Sequence, residues 1–157
     1  MLPPDYHIHT HLCRHAIGQP HQYAAQALRH GLEEIGFSDH APTSRNGFDD
    51  WRMRQEELDL YIANIQRLQQ EYPSLVILLA LEVDYLPGEE EWIQTLARRY
   101  PWDYLIGSVH YIDDSWDIDN PEKKSAGRQL TSATSGNATS NVSPKPLKPA
   151  SLISLVT

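Results

Sequence analysis

The stretch LVILLALEVD, residues 75–84, decides how the rest of the chain must be arranged. Seven apolar residues run unbroken from Leu75 to Leu81, and the segment then carries two acids, Glu82 and Asp84. The run is too short to cross a bilayer and shows no alternation of polar and apolar side chains. It reads as a strand, Leu75–Val83, covered on both faces, and strands of that kind belong to parallel sheets flanked by helices.

The flanking sequence supplies those helices. Upstream, Leu58, Tyr61, Ile62, Ile65 and Leu68 recur at three and four residues, a helical stripe ended by Pro73. Before it, Glu34–Ser38 reads as a strand, preceded by a helix that starts at Pro20, presents Tyr23, Ala24, Ala27 and Leu28, and stops at Gly31. Tyr6–His9 is a first short strand. Downstream, Trp92, Ile93, Leu96, Ala97 and Tyr100 mark a third helix, and Tyr104–Val109 a fourth strand. The order βαβαβαβ implies parallel pairing with right-handed crossovers. Four such strands cannot close a barrel, so the outer edge of the fourth is expected to be unpaired.

At 157 residues the chain fits one domain. Its net charge of −8 hides a split: all 21 acids lie in residues 1–122, while 123–157 carry only basic charges. An acidic body disfavours nucleic acid as a partner. The start of the chain lacks a signal-peptide pattern, no apolar run is long enough for a membrane span, and Cys13, the single cysteine, allows no intrachain disulfide. These features lead us to expect a cytoplasmic protein without a membrane partner; oligomeric state is not legible. Residues 123–157, with seven Ser, four Thr, three Pro and no aromatic residue, are expected to be disordered. Asn137 and Asn141 fall in N-x-S/T triplets, which chance explains in so Ser/Thr-rich a segment.

The segment DYHIHTHLCRHA, residues 5–16, holds four histidines. Residues two apart on a strand share a face, so His7 and His9 aim together from the end of the first strand, with His11 either continuing that row or lying beyond it, against substrate. The other strand ends also carry ligand types: Asp39 and His40 after the second, Glu82 and Asp84 after the third, His110 after the fourth. In parallel α/β folds these carboxyl ends lie on one face, where sites are built. The residues thus converge on a candidate metal centre, with His15 a further candidate from the following loop. His21 and His30 lie on the first helix and read as surface residues. The acids of GEEE, residues 88–91, read as a helical first turn.

These residues carry a resemblance. DYHIHTH with His15, IGFSDHAP, LEVDY and YLIGSVH resemble the successive motifs of the PHP (polymerase and histidinol phosphatase) superfamily. GFSDHAP, MRQEELDLYI, EVDYLPG and IGSVHYIDDSWDID are most similar to its histidinol-phosphatase branch. The match covers residues 3–121. It implies a TIM-like, distorted seven-stranded βα barrel with up to three metal ions, zinc, manganese or iron, of which residues 1–122 form the N-terminal part, incomplete at the C-terminus. By the same resemblance His7 and His9 hold one metal, Glu82 bridges it to a second held by His110, and His15 and His40 hold the third. Ala80 stands where the family often has glycine, and no histidine follows His110 to match the family's later ligands.

Imidazole and carboxylate suit borderline divalent metals. Such metals acidify water into a nucleophile and neutralise phosphoryl oxygens, so no protein nucleophile is needed. Asp5, Asp39 and Asp84 are candidates for orienting the imidazoles. Arg52 and Arg54 stand either in solvent or against a substrate phosphate. The implied activity is hydrolysis of L-histidinol phosphate, a small phosphomonoester of histidine biosynthesis. A PHP nuclease or broad phosphoesterase and a non-catalytic fragment are the alternatives. With ligands lacking after His110, the chain is expected to bind metal weakly and turn over little substrate.

Overall fold

The computed structural model describes residues 2–113, 116–117 and 153–155. Strands β1 (Asp5–Ile8), β2 (Glu34–His40), β3 (Val76–Asp84) and β4 (Tyr104–Ser108) lie side by side in chain order, all parallel. Helices α1 (Pro20–Arg29), α2 (Leu58–Glu71) and α3 (Glu90–Arg99) connect them, and the sheet curls into part of a barrel.

Local chemistry explains the elements. Pro20 opens α1, and Gly31, at φ +73°, follows the capping residue His30 in the left-handed conformation that glycine tolerates. All five members of the α2 stripe are buried. They pack on Ile35 and Phe37 of β2 and Leu79 and Leu81 of β3, the centre of the core. Tyr61 is wholly buried there, and its hydroxyl, 2.8 Å from the carbonyl oxygens of both Phe37 and Ala80, ties α2 to two strands. Helices α1 and α3 are bound less deeply: Leu28 is 38% exposed, Ala97 is exposed, and α3 fully buries only Leu96.

Inside the curl, the Tyr104 hydroxyl donates to the carbonyl of Tyr6 at 2.5 Å and crosses directly over Gly36. A Cβ at position 36 would lie 2.0 Å from that hydroxyl, so only glycine fits beneath it.

The expected element order holds, although β1 and β4 each end one residue earlier than expected, at Ile8 and Ser108. Strand β2 runs two residues further than expected and β3 one, so Asp39, His40 and Asp84 join Glu82 within strands; the ladder continues through them, pairing His40 with Glu82 and Asp84 with Ser108. The edge of β4 is paired: β7 (Ile153–Leu155) lies parallel to it, with Leu105 opposite Ile153. This overturns the expectation of an open fourth edge. The segment LISLV around these three residues is apolar and β-branched enough to add a strand. The rest of the stretch, 123–152 and 156–157, and the Asn137 and Asn141 triplets lie outside the described residues. A small hairpin, β5 (Tyr111–Asp113) with β6 (Trp116–Asp117), follows β4. Among the described residues no helix is long and apolar enough to cross a membrane.

Candidate metal centre

Four imidazoles gather on one carboxylate at the carboxyl ends of the strands. His7 Nε2 lies 2.8 Å from Glu82 Oε2, His40 Nδ1 3.2 Å and His9 Nε2 3.4 Å from the same oxygen, and His110 Nε2 lies 3.6 Å from Oε1. Glu82 itself is 3% exposed. Donor atoms fall into overlapping groups, within each of which they lie no more than 4.8 Å apart: His7, His9 and Glu82; His40, Glu82 and His110; His9, His15 and His40. The six residues that the sequence singles out as ligand candidates are all present in these groups.

Their electrostatics suit a cation. Burial, then the neighbouring His9, His110, His15 and Arg52, hold His40 far below the usual imidazole range, so it stays neutral with a lone pair to give. The hydrogen bond to the Glu82 carboxylate raises His7. Among the described residues the buried Nδ1 atoms of His9 and His40 have no hydrogen-bond partner: His40 Nδ1 is close to Glu82, but not aligned for a hydrogen bond. Leaving buried polar atoms unsatisfied costs about 1–3 kcal/mol each, and nitrogen and carboxylate donors in this arrangement fit a divalent ion.

Local backbone geometry explains why these residues meet. Across β1 and β2 the register slips between Asp5 and Ile8, so β1 carries a bulge that re-aims its side chains before the strand ends. A 3-10 turn, His11–Cys13, then starts with its first turn closed by the Thr10 hydroxyl, which accepts from Leu12 N at 3.2 Å. Arg14 follows at φ +64°, turning the chain back so that His15 stands over His9 and His40, with ring centroids 5.0 and 5.1 Å away. His11 leaves the row at this turn. It joins none of the donor groups and lines a cleft of about 380 Å³ between α1 and α2 with His21, Asn64 and Arg67. His21 and His30 are exposed, as expected.

The profile of the PHP domain matches residues 5–142. This chain belongs to the PHP domain family. Relatives of this PHP domain include a Deinococcus radiodurans protein named "Probable histidinol-phosphatase", 47% identical over 119 residues, a match covering 75% of this chain and 45% of the relative. The histidinol-phosphatase of Bacillus subtilis is 39% identical over 121 residues, covering 71% and 45%. Among solved structures, the histidinol phosphate phosphatase of Lactococcus lactis, complexed with zinc, L-histidinol and phosphate, aligns with a TM-score of 0.62 at 30% identity, over 71% of this chain and 41% of that one. The chain thus spans less than half the length of the curated relatives it matches.

Around the donors of this PHP domain, the three aspartates differ. Asp84 accepts from His110 Nδ1 at 2.6 Å and from the His110 backbone N–H at 3.2 Å, which aims Nε2 at Glu82. Burial opposes its charge, but the bond from His110 and the nearby Arg52 hold its carboxyl below the usual range. Asp39, wholly buried, lies 3.4 Å from His9 Nδ1 and accepts from the Thr10 hydroxyl. Among the described residues Asp5 accepts from the His7 backbone N–H, at 3.0 Å, and bonds to no imidazole.

The solvent-exposed reading of Arg52 is overturned. It is 2% exposed, because Asp49 and Asp84 claim its guanidinium at 2.7 and 2.9 Å. Arg54 donates to the Asp49 carbonyl at 3.1 Å, folded into its own loop. Of the acids in GEEE, Glu90 and Glu91 do begin α3, but Glu89 is buried and accepts from the backbone and hydroxyl of Ser44, at 2.8 and 2.6 Å. Sequence reasoning missed two neighbours. Trp51 sets its ring 4.6 Å from His40 and 5.3 Å from His110, with no periodicity to flag it. Cys13, fully buried, forms a donor group with His9 and Asp39; burial pushes its thiol up to about 11.

Proposed function

We propose that this chain contributes residues 1–122 to a PHP barrel that hydrolyses L-histidinol phosphate to L-histidinol and phosphate with divalent metals. The observation carrying this reading is the set of overlapping donor groups around Glu82, in a chain whose relatives are named histidinol-phosphatases. His7, His9 and Glu82 would hold one ion, Glu82 and His110 with His40 a second, and His9, His15 and His40 a third; the overlap makes each shared residue a bridge or a choice between positions. Zinc is present in the Lactococcus lactis structure, and zinc, manganese and iron all suit such donors. Bound there, these ions supply Lewis-acid activation of water and charge neutralisation at the phosphoryl group.

The chain's own residues prepare that chemistry. Asp84 keeps a proton on His110 Nδ1, freeing Nε2 as a donor. Asp39 sits where it can orient His9. Trp51 walls one side of the pocket, restricting water near His40 and His110. No side chain among the donors needs to act as a nucleophile. The acidic charge of residues 1–122 favours a small substrate over a nucleic acid.

The test is a chimaera in which residues 1–121 replace the matching segment of the Bacillus subtilis enzyme. Chelator-sensitive phosphate release from L-histidinol phosphate, well above that from a short single-stranded DNA, is the expected result. A folded, metal-loaded chimaera that releases none overturns the reading, and faster cleavage of the DNA would favour a nuclease.

A further inference from the structure

Residues 49–52, in the loop between β2 and α2, touch two proposed ligands that come from other parts of the chain. His15 Nδ1 lies 3.2 Å from the carbonyl oxygen of Trp51 and 3.2 Å from that of Cys13. His110 Nδ1 is held by Asp84, and Asp84 is held in turn by Arg52. The Arg52 guanidinium has four anchors: Nε donates to Asp49 at 2.7 Å, Nη1 to the Ala41 carbonyl at 3.2 Å, Nη2 to Asp84 at 2.9 Å, and its plane lies 4.4 Å from the Trp51 ring centroid. The Arg52 carbonyl accepts from Arg14 at 2.6 Å, which locks this loop onto the turn that carries His15.

We infer that Arg52 is a positioning residue for the metal centre, setting the Nδ1-protonated tautomer of His110 through Asp84 and holding the loop that seats His15. Both histidines then present Nε2 to the pocket. The geometry needs arginine: only a planar fork reaches a carboxylate, a carbonyl and a second carboxylate at once while stacking on an indole. Asp84, 1% exposed in its side chain, has this guanidinium as its buried cationic partner. The inference rests on the proposed function for its metal readout, and on nothing beyond the fold for its tautomer readout.

The test compares the parent chain with Arg52→Leu, Arg52→Lys and Asp49→Asn. Zinc affinity is measured by titration calorimetry, and the protonation of the His110 nitrogens by 15N NMR on metal-free protein. Arg52→Leu is expected to weaken zinc binding by about 10- to 100-fold and to leave His110 in a mixture of tautomers, with Arg52→Lys recovering part of both. Should Arg52→Leu fail to fold, Asp49→Asn, which weakens one anchor and keeps the Arg52 charge, is expected to show the same changes in smaller measure. Folded variants with the parent's zinc isotherm and tautomer overturn the inference. A parent chain that takes up no zinc counts against the proposed function; His110 then still decides this inference, which fails if its Nε2 carries the proton.

Discussion

Strands β2 and β3 change character halfway along. In their amino-terminal halves the buried positions are apolar, Ile35 and Phe37 beside Ile77 and Leu79, each at most 5% exposed. In their carboxyl halves Asp39, His40, Glu82 and Asp84, again at most 5% exposed, are buried beside the apolar Leu81 and Val83. The backbone ladder runs without interruption through both halves. The lower half gains stability from apolar burial, whereas the upper half accepts desolvation costs that only pairing or a cation offsets. One half is therefore expected to govern unfolding and the other to govern metal uptake.

The contrast breaks most strongly at Phe37. Its side chain is fully buried against Tyr23 and the α2 stripe. Phe37→Ala should cost about 3–5 kcal/mol in urea unfolding. A loss below 1 kcal/mol would mean that the core collapses around the gap and the lower half is not the stabilising one.

In the upper half, Glu82→Gln keeps the shape and removes the charge that the imidazoles share. The parent chain should gain about 2.7 kcal/mol of stability at zinc a hundredfold above its Kd, reversed by chelator. In Glu82→Gln that gain should vanish at the same zinc concentration. An equal zinc-induced rise in Tm for both proteins would place the metal elsewhere.

Tyr61 joins the halves, since its buried hydroxyl sits between the Phe37 and Ala80 carbonyls. Tyr61→Phe should cost about 1 kcal/mol at neutral pH. Burial raises the Tyr61 phenol well above its usual value. Above pH of about 10 the unfolded chain loses this proton while the folded chain keeps it, so stability is fully present below that pH and falls as pH rises further. The variant should lose less stability than the parent between pH 9 and 11, read from urea midpoints. Parallel pH profiles would sink this assignment.

The smallest effects are expected at the histidines outside both halves. His21→Ala and His30→Ala, on the exposed face of α1, should change stability by less than about 0.5 kcal/mol and leave zinc uptake intact. His7→Ala should lower zinc affinity strongly. Equal losses at all three would overturn the site assignment.

Much of this was legible from residue pattern. The α2 stripe is a 3.6-residue rhythm that buries every residue it marks, and the unbroken apolar run of β3 does form a strand, buried on both faces from Leu79 onward but with Val76 exposed and Leu78 half-buried before it. Those two features set the parallel order, and the parallel order brings the strand ends together, which is why His7, His9, His40, Glu82 and His110 could be named without coordinates. His15 could be named only as a loop candidate, which the family resemblance assigned to a metal, since nothing in a loop's sequence announces that Arg14 will turn the chain back.

What pattern could not decide was the partnership of charged side chains. Arg52 in a polar loop reads as a surface residue, because hydropathy describes a residue alone while its burial depends on two carboxylates at positions 49 and 84. His11 keeps the parity of His7 and His9 but turns away, since strand alternation ends with the strand and the 3-10 turn imposes a different rotation. Short-range periodicity thus determined the elements, their order and the face on which ligand-type residues gather. Only the tertiary structure decided which imidazole nitrogen faces the pocket, which aspartate orients it and which arginine holds that aspartate, because those contacts join residues far apart in the chain whose energies no local pattern contains.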